Sequence, residues 1–527
     1  MSPLITLDGL GFTSPDGRRL FDNLTLAFGR EKTGLVGRNG VGKTTLLRLV
    51  LGELAPTAGA ASVAGRLGVL RQAMAPPDGA ALADLLGVSE GLARLDRLEA
   101  GHGDAYDLEA ADWELPQRIQ EALQAMGLGG MALDRRATTL SGGQATRASL
   151  AALLIAQPDM LVMDEPTNNL DAEGRAAVAE FLERWRGGAL VVSHDRALLR
   201  RMDRIIELTG LGAEVYGGGY DLYAARKAEA AAAAARDLAT AEHVLAKTER
   251  DIQVARERKA RRDSAGKRAR ARGDAPKILL DARAERAEAS GGRQTRLADR
   301  LRGEAERDLA DAEARVERVR RLVFDLPPSG LPAGKLVLWF EHVGFAWPDG
   351  TPVLSGVSFR LTGPDRVAVT GPNGAGKTTL IRLATGELAA SSGVVRRGVP
   401  AVVLDQRAAL LDDGQTLLEN FRRLNPAWPD HAAHEALARF QFRNVTALKP
   451  AGALSGGERL RAALACALMA AEPPQLIILD EPTNHLDLDS IAAVEGALAA
   501  YDGALLAVSH DPAFLDAVGA ARSVDLG

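Results

Sequence analysis

Gly37-Arg38-Asn39-Gly40-Val41-Gly42-Lys43-Thr44-Thr45 and Gly371-Pro372-Asn373-Gly374-Ala375-Gly376-Lys377-Thr378-Thr379 lie 334 residues apart, and the fold is read from them. Both have the spacing G-x-x-x-x-G-K-T. Each follows an apolar strand-like run (Leu35-Val36; Val367-Ala368-Val369) and opens a helical pattern (Leu46-Leu47; Leu380-Ile381). In that context glycines let backbone N–H groups wrap phosphates at a helix start. Lys43 and Lys377 are expected to reach the outer phosphates of ATP, and the Thr44 and Thr378 hydroxyls to ligate Mg²⁺.

The doubling extends further. Leu140-Ser141-Gly142-Gly143-Gln144 returns as Leu454-Ser455-Gly456-Gly457-Glu458, and Met163-Asp164-Glu165-Pro166 as Leu479-Asp480-Glu481-Pro482. The apolar runs Met160–Met163 and Leu476–Leu479 read as buried parallel strands, each ending in Asp-Glu. Two adjacent carboxylates divide the labour. Asp164 and Asp480 are expected to hold Mg²⁺, while Glu165 and Glu481 polarise the attacking water.

Offsets between the copies locate an insertion. Gln72 and Gln406 keep the 334-residue spacing, Ser141 and Ser455 lie 314 apart, and Glu165/Glu481 and His194/His510 lie 316 apart. The first copy therefore carries 20 extra residues between Gln72 and Ser141. They are expected as a short arm at about 80–120, with a hairpin or helical tip near Gly101-His102-Gly103-Asp104-Ala105-Tyr106-Asp107.

Composition bounds the rest. A chain of 527 residues suffices for two or three domains. A net charge of -5 argues against a surface that coats nucleic acid throughout, yet leaves room for a local basic patch. The single Cys466 excludes an internal disulfide and a cysteine-held metal or iron-sulfur cluster, and its apolar helical setting reads as core filler. No run of 18 apolar residues and no signal-like N-terminus appear, so a soluble cytoplasmic protein is expected.

Expected domains are residues 1–220, 221–328 and 329–527. In the middle segment Leu238, Leu245 and Ile252 recur every seven residues, with Ala241, Thr248 and Ala255 three further on. Leu301, Ala305, Leu309, Ala312 and Val316 form a return stripe, so two antiparallel helices are expected. The pattern is expected to break at Ser264-Ala265-Gly266, Gly273 and Pro276. Between Arg256 and Lys277 ten cations face only Glu257, Asp263 and Asp274. A one-signed cluster repels itself unless an anionic partner is near, so Arg261, Arg262, Arg268 and Arg270 are candidate RNA contacts.

On these motifs both halves resemble ATP-binding cassette (ABC) nucleotide-binding domains, and Leu140–Gln144 and Leu454–Glu458 are similar to the signature motif of that family. The resemblance implies two tandem α/β P-loop cassettes that pair head to tail. Each ATP would then lie between one phosphate loop and the opposite signature, with Lys43 facing Ser455 and Lys377 facing Ser141. A serine followed by two glycines at a helix start also offers a hydroxyl and N–H donors to a γ-phosphate. By the same resemblance Gln72 and Gln406 match a glutamine loop that senses Mg²⁺ and the attacking water. His194 and His510 match a switch histidine, and Asn168-Asn169-Leu170-Asp171 and Asn484-His485-Leu486-Asp487 a loop coupling the two sites.

Aligning Gly11-Phe12-Thr13-Ser14-Pro15-Asp16-Gly17 with Gly344-Phe345-Ala346-Trp347-Pro348-Asp349-Gly350 sets Ser14 opposite Trp347. The family places an aromatic platform for adenine there. Trp347 can serve and Ser14 cannot; the sequence leaves open whether neighbouring Phe12 substitutes for it.

Tandem cassettes, a charged linker and Glu-Pro-Thr-Asn after each strand-end carboxylate pair resemble the ABC-F group, which includes the energy-dependent translational throttle. That resemblance implies a monomeric ATPase that pairs its cassettes on ATP and binds the ribosome, both rRNA and tRNA, through the linker hairpin. The inserted arm would touch the ribosome as well, and hydrolysis would release the protein. General translation support is expected ahead of drug resistance, because nothing identifies a drug-displacing tip. Two other readings stay open: a DNA- or RNA-associated ATPase, and the energising subunit of a membrane transporter.

Overall fold

The computed structural model describes residues 3–15, 17–70, 79–272, 299–312, 326–405, 408–440, 442, 444–470, 472–484 and 486–526. The apolar runs do form parallel strands. In the first half a six-stranded sheet has the order Leu67–Leu70, Met160–Asp164, Gly188–Val192, Lys32–Gly37, Arg204–Thr209, Gly212–Gly217, with only the last pair antiparallel. In the second half a five-stranded parallel sheet runs Ala401–Asp405, Leu476–Asp480, Ala504–Val508, Arg366–Thr370, Arg522–Asp525. Strands such as Met160–Asp164 and Leu476–Asp480 are buried on both faces, which is why they read as continuous apolar runs rather than alternating ones.

Each half also has a three-stranded antiparallel sheet, Arg19–Phe28, Ile5–Thr13, Ala58–Val63 in the first and Pro352–Thr362, Leu336–Ala346, Ser392–Arg397 in the second. Fully buried aromatics pack it against the parallel sheet, Phe28 in a core with Leu35 and Met160 and Phe340 in one with Val367 and Ile478, while Phe340 stacks on its cross-strand neighbour Phe359 with centroids 4.8 Å apart. The mixed α/β architecture in two copies is as the sequence implies.

Parallel register decides where the site lies. It pairs Asp164 with Val192 and Asp480 with Val508, so carboxylates and histidines leave the sheet at the same edge as the phosphate loops. That edge is the carboxyl end of the strands, where open α/β sheets bind ligands. The stretch where the first copy is longer is helical, Ser89–Glu99, Ala105–Glu109 and Leu115–Ala125, the last of which matches Asp430–Arg439 in the second copy. Asp107 at its tip is buried between Arg97, at 2.5 Å, and Arg94, at 3.5 Å.

The chain divides into two compact units, one of residues 1–223 with 322–527 and one of residues 224–321. Both cassettes fall in the first. In the second, one helix runs from Tyr220, just inside the first unit, to Arg272, and residues 299–312 are also helical. Leu238, Ala241, Leu245, Thr248 and Ile252 are half-buried while their neighbours are mostly exposed, and Glu249 pairs with Arg302 at 3.6 Å. The expected interruption at Ser264-Ala265-Gly266 is not there: the helix passes through it. One glycine costs a helix only about 1 kcal/mol, and the alanines, arginines and lysines around it are good helix formers. Gly273 and Pro276 lie outside the described residues.

Candidate functional site

The local sequence builds two similar phosphate cradles. Gly42 (φ 110°) and Gly376 (φ 91°) adopt left-handed backbone immediately before the helices Lys43–Val50 and Lys377–Thr385. A Cβ at Gly42 would meet the Phe21 ring at 2.7 Å, so glycine is required twice over, by conformation and by space. Neither helix start has a side-chain cap, which leaves its N–H groups and the positive end of its dipole for an anion. Lys43 donates to the Gly37 and Arg38 carbonyls at 2.6 and 3.2 Å, and Lys377 to those of Gly371 and Pro372 at 2.8 and 3.0 Å. Burial holds both ammonium groups below their ordinary pKa.

The carboxylates sit at the mouths of these cradles. Thr44 hydrogen-bonds Asp164, and Thr378 Oγ1 donates to Asp480 at 3.4 Å. A hydroxyl beside a carboxylate at each helix start is an all-oxygen donor set that suits a hard cation such as Mg²⁺. Glu165 and Glu481 both have φ of 47°, an uncommon conformation for a side chain of this size, and their N–H groups are tied to Val192 and Val508 at 2.9 Å. Such strain, repeated in both copies, aims the carboxylates into the site. Burial raises Glu165 to about 8 against the pull of Lys43, and raises Glu481 to about 7. A base near neutrality is well matched to accept a proton from water.

His194 Nε2 lies 3.4 Å from Glu165 and His510 Nε2 3.4 Å from Glu481. Burial first, then the neighbouring lysine, lowers the imidazoles to about 3 and about 4. Both are neutral at pH 7, so these are contacts with a neutral ring rather than ion pairs. Among the described residues, both ring nitrogens of His194 and both carboxylate oxygens of Glu481 are buried without a hydrogen-bond partner. Orphaned groups of this kind at a cavity wall are positioned for a ligand or water. Asn169, Leu170, Asn373, Thr378, Glu481 and His510 line part of a cavity of about 480 Å³ at the second site.

The two cassettes reach into one another. Asn39 N–H donates to Asp487 Oδ2 at 2.8 Å, and Arg38 pairs with Asp489 at 3.1 Å. In the mirror contact Asn373 N–H donates to Asp171 at 3.3 Å and its side chain to the Asn169 carbonyl at 3.0 Å. Although burial alone would raise Asp171 and Asp487, N–H donors including the one reaching across, and for Asp487 first the Ser490 hydroxyl, hold both below the ordinary range. Ser141 and Ser455 cap the helices Gly142–Ala156 and Gly456–Leu468, in capping boxes with Gln144 and Glu458.

Trp347 is 38% exposed and meets Phe345 edge-on at 5.1 Å, whereas Ser14 uses its hydroxyl on the Arg18 carbonyl at 2.9 Å. Phe12 is buried in the core like its counterpart Phe345, so it offers no substitute platform. We expect Trp347→Ala to weaken nucleotide binding at the second site by roughly 1–3 kcal/mol, and to leave the first unaffected. Site-resolved titration with a fluorescent nucleotide checks this; equal affinities before and after substitution would remove Trp347 from the site.

Gln72, Gln406 and His485 lie outside the described residues. Arg261 and Arg268 are exposed on the long helix; Arg262 and Arg270 are on it too, but their side chains lie outside the described set. Cys466 is buried with its thiol pushed up to about 12 by burial, as a core filler should be.

Sequence reasoning missed several groups. The Arg196–Glu495 pair joins the cassettes at 2.7 Å, and Arg175 stands beside the loop that crosses to the second site. Neither has a charged counterpart in the other copy, where Pro512, Ala179 and Ile491 occupy the equivalent positions. That loss of symmetry was the available signal.

Comparison with known proteins agrees with the geometry. The family model described as "ABC transporter" matches residues 21–168 and 354–484. The tylosin resistance ATP-binding protein TlrC of Streptomyces fradiae is 33% identical over 94% of this chain and 92% of its own length. The energy-dependent translational throttle protein EttA of Mycobacterium tuberculosis is 32% identical over 94% of this chain and 87% of its own. The solved structure titled RNase-L Inhibitor shares the fold, with a TM-score of 0.52 at 18% identity, covering 96% of this chain and 85% of that one. No described helix is long and apolar enough to cross a membrane. With two family matches and relatives of this identity along nearly its whole length, the chain belongs to the ATP-binding cassette family, among its ABC-F members, and is an ATPase.

Proposed function

We propose that the chain is a ribosome-binding translation factor of the cytoplasm. ATP at Lys43 and Lys377 holds the cassettes paired, pairing prepares the helical segment to bind, and hydrolysis assisted by Glu165 and Glu481 releases it. Thr44 with Asp164, and Thr378 with Asp480, would hold Mg²⁺, which offsets phosphate charge when bound. Ser141 and Ser455 would meet the γ-phosphate of the opposite cassette.

The observation that carries this reading is the two-way exchange of loops between cassettes that are joined through a 53-residue helix. Arg256, Arg258, Arg261 and Arg268 are exposed towards the far end of that helix. Exposed cations on one helix suit a phosphate backbone. The 32% identity to a protein named for throttling translation supports the choice of the ribosome as the polyanion.

Co-sedimentation with ribosomes tests it. In ATP, the Glu165→Gln, Glu481→Gln variant should be enriched in the ribosome pellet over the parent, and absence of enrichment would sink the assignment. Neutralising Arg261, Arg262, Arg268 and Arg270 should weaken that binding and lower its log–log salt slope by about 3. An unchanged slope means that these arginines are only solvated. The relative named for tylosin resistance favours one second reading, protection of the ribosome from that drug, which growth in tylosin with and without the protein decides.

A further inference from the structure

The two nucleotide sites look alike in their motifs but differ in what holds the loop that reaches each from the opposite cassette. At the second site this loop is Asn169-Leu170-Asp171. Asn169 (φ 60°) and Asp171 bond Asn373 of the second phosphate loop, and Asn169 and Leu170 line the second-site cavity. Its middle carbonyl, that of Leu170, accepts from Arg175 Nε at 3.2 Å. The same guanidinium reaches Asp195 Oδ2 at 3.5 Å, and its side chain is only 17% exposed. Asp195 directly follows His194, the histidine beside Glu165 of the first site. The positive charge of Arg175 is also felt at Glu481 and His510.

At the first site the corresponding loop carries Leu486 and Asp487, and the residue equivalent to Arg175 is Ile491. Ile491 is buried in the apolar core of the second cassette and has no donor to offer. One crossing loop is therefore clamped by a fork of N–H donors between its own carbonyl and the neighbour of a switch histidine; at the other, Ile491 supplies no such fork. A planar guanidinium can hold both partners at once, which neither Lys nor an apolar residue does.

We propose that Arg175 of the first cassette is a positioning residue for ATP hydrolysis at the second site, and ties that site, but not its mirror, to the histidine loop of the other. It acts through the loop it holds rather than on the reacting atoms. It holds Leu170, and through it Asn169 and Asp171, in register with the phosphate loop around Asn373. A change at His194 and Asp195 on nucleotide loss from the first site thus has a short covalent and hydrogen-bonded route to the second. Displacement of a positioning group by about 1 Å can cost as much as 100-fold in rate.

This inference rests on the reading of Glu165 and Glu481 as the two bases, so that reading is checked first: the Glu165→Gln, Glu481→Gln protein must lose turnover. Single-turnover hydrolysis is then measured with one base removed at a time. In the Glu165→Gln background only the second site turns over, and Arg175→Ile is expected to slow it about tenfold. MgATP affinity there should change much less, a loss in rate rather than in binding. Arg175→Lys, which keeps the charge and one donor, should recover part of the rate. In the Glu481→Gln background, which reports the first site, the same substitution should cost less than at the second. A second-site loss no larger than the first-site loss, for either Ile or Lys, overturns the proposal. Turnover that survives in the double Gln protein instead overturns the base assignment.

Discussion

The Glu165→Gln, Glu481→Gln protein should hydrolyse ATP about 100- to 10,000-fold more slowly than the parent while still binding it. The amide has the size and shape of the acid, so the strained backbone at φ 47° and the N–H bonds to Val192 and Val508 need not change. What is lost is the oxygen that accepts a proton from water. No neighbour replaces it: His194 and His510 stand 3.4 Å away, but burial beside a lysine has lowered their pKa to about 3 and about 4, leaving weak bases. Phosphate release measures the rate, and a fluorescent nucleotide measures binding. Turnover within tenfold of the parent would show that another group activates the water.

Arg196→Ala should shift the cassettes away from the paired form by about 2–3 kcal/mol, roughly 30- to 150-fold in the pairing equilibrium. Arg196 and Glu495 are 11% and 14% exposed, and their 2.7 Å bond crosses from one cassette to the other. Removing the cation leaves the Glu495 carboxylate facing a largely dry contact, where burial already raises its pKa. The cost arises only when the cassettes meet, since both groups regain water on separation. Fluorescence energy transfer between one probe on each cassette, followed against ATP concentration, reads the shift. Replacing both residues, Arg196→Met with Glu495→Leu, should recover most of it, because no unpaired charge then remains. Pairing unaffected by Arg196→Ala would show that water follows the charge into the contact.

Much of the site was legible because its chemistry is built from short local patterns. Glycines at 37, 40 and 42, a lysine, and two threonines can make only a few backbone shapes between a strand and a helix, and the second copy repeats them. The Asp-Glu pairs were equally plain, since a strand buried on both faces leaves no other reason for two carboxylates at its end. Ser264-Ala265-Gly266 misled for the opposite reason. A break was inferred from a residue that only weakens a helix, and the surrounding Arg, Lys and Ala outweigh it. Phe12 looked available for adenine because a sequence does not say which face of a strand is covered; the core decides that.

The sequence by itself determined the two cassettes, their glycine-rich loops and the carboxylate pairs at their strand ends, all of which depend on residues within a few positions of one another. Only the tertiary structure decided that Asp487 meets Asn39, that Asp171 meets Asn373, and that Arg196 crosses to Glu495. It alone showed that Arg175 clamps one crossing loop while its counterpart Ile491 is turned into an apolar core. Those partners stand 202 to 448 residues apart where the cassettes meet. A short motif specifies backbone shape locally, but a bond across an interface exists only once two separately folded surfaces set donor against acceptor and exclude the water between them.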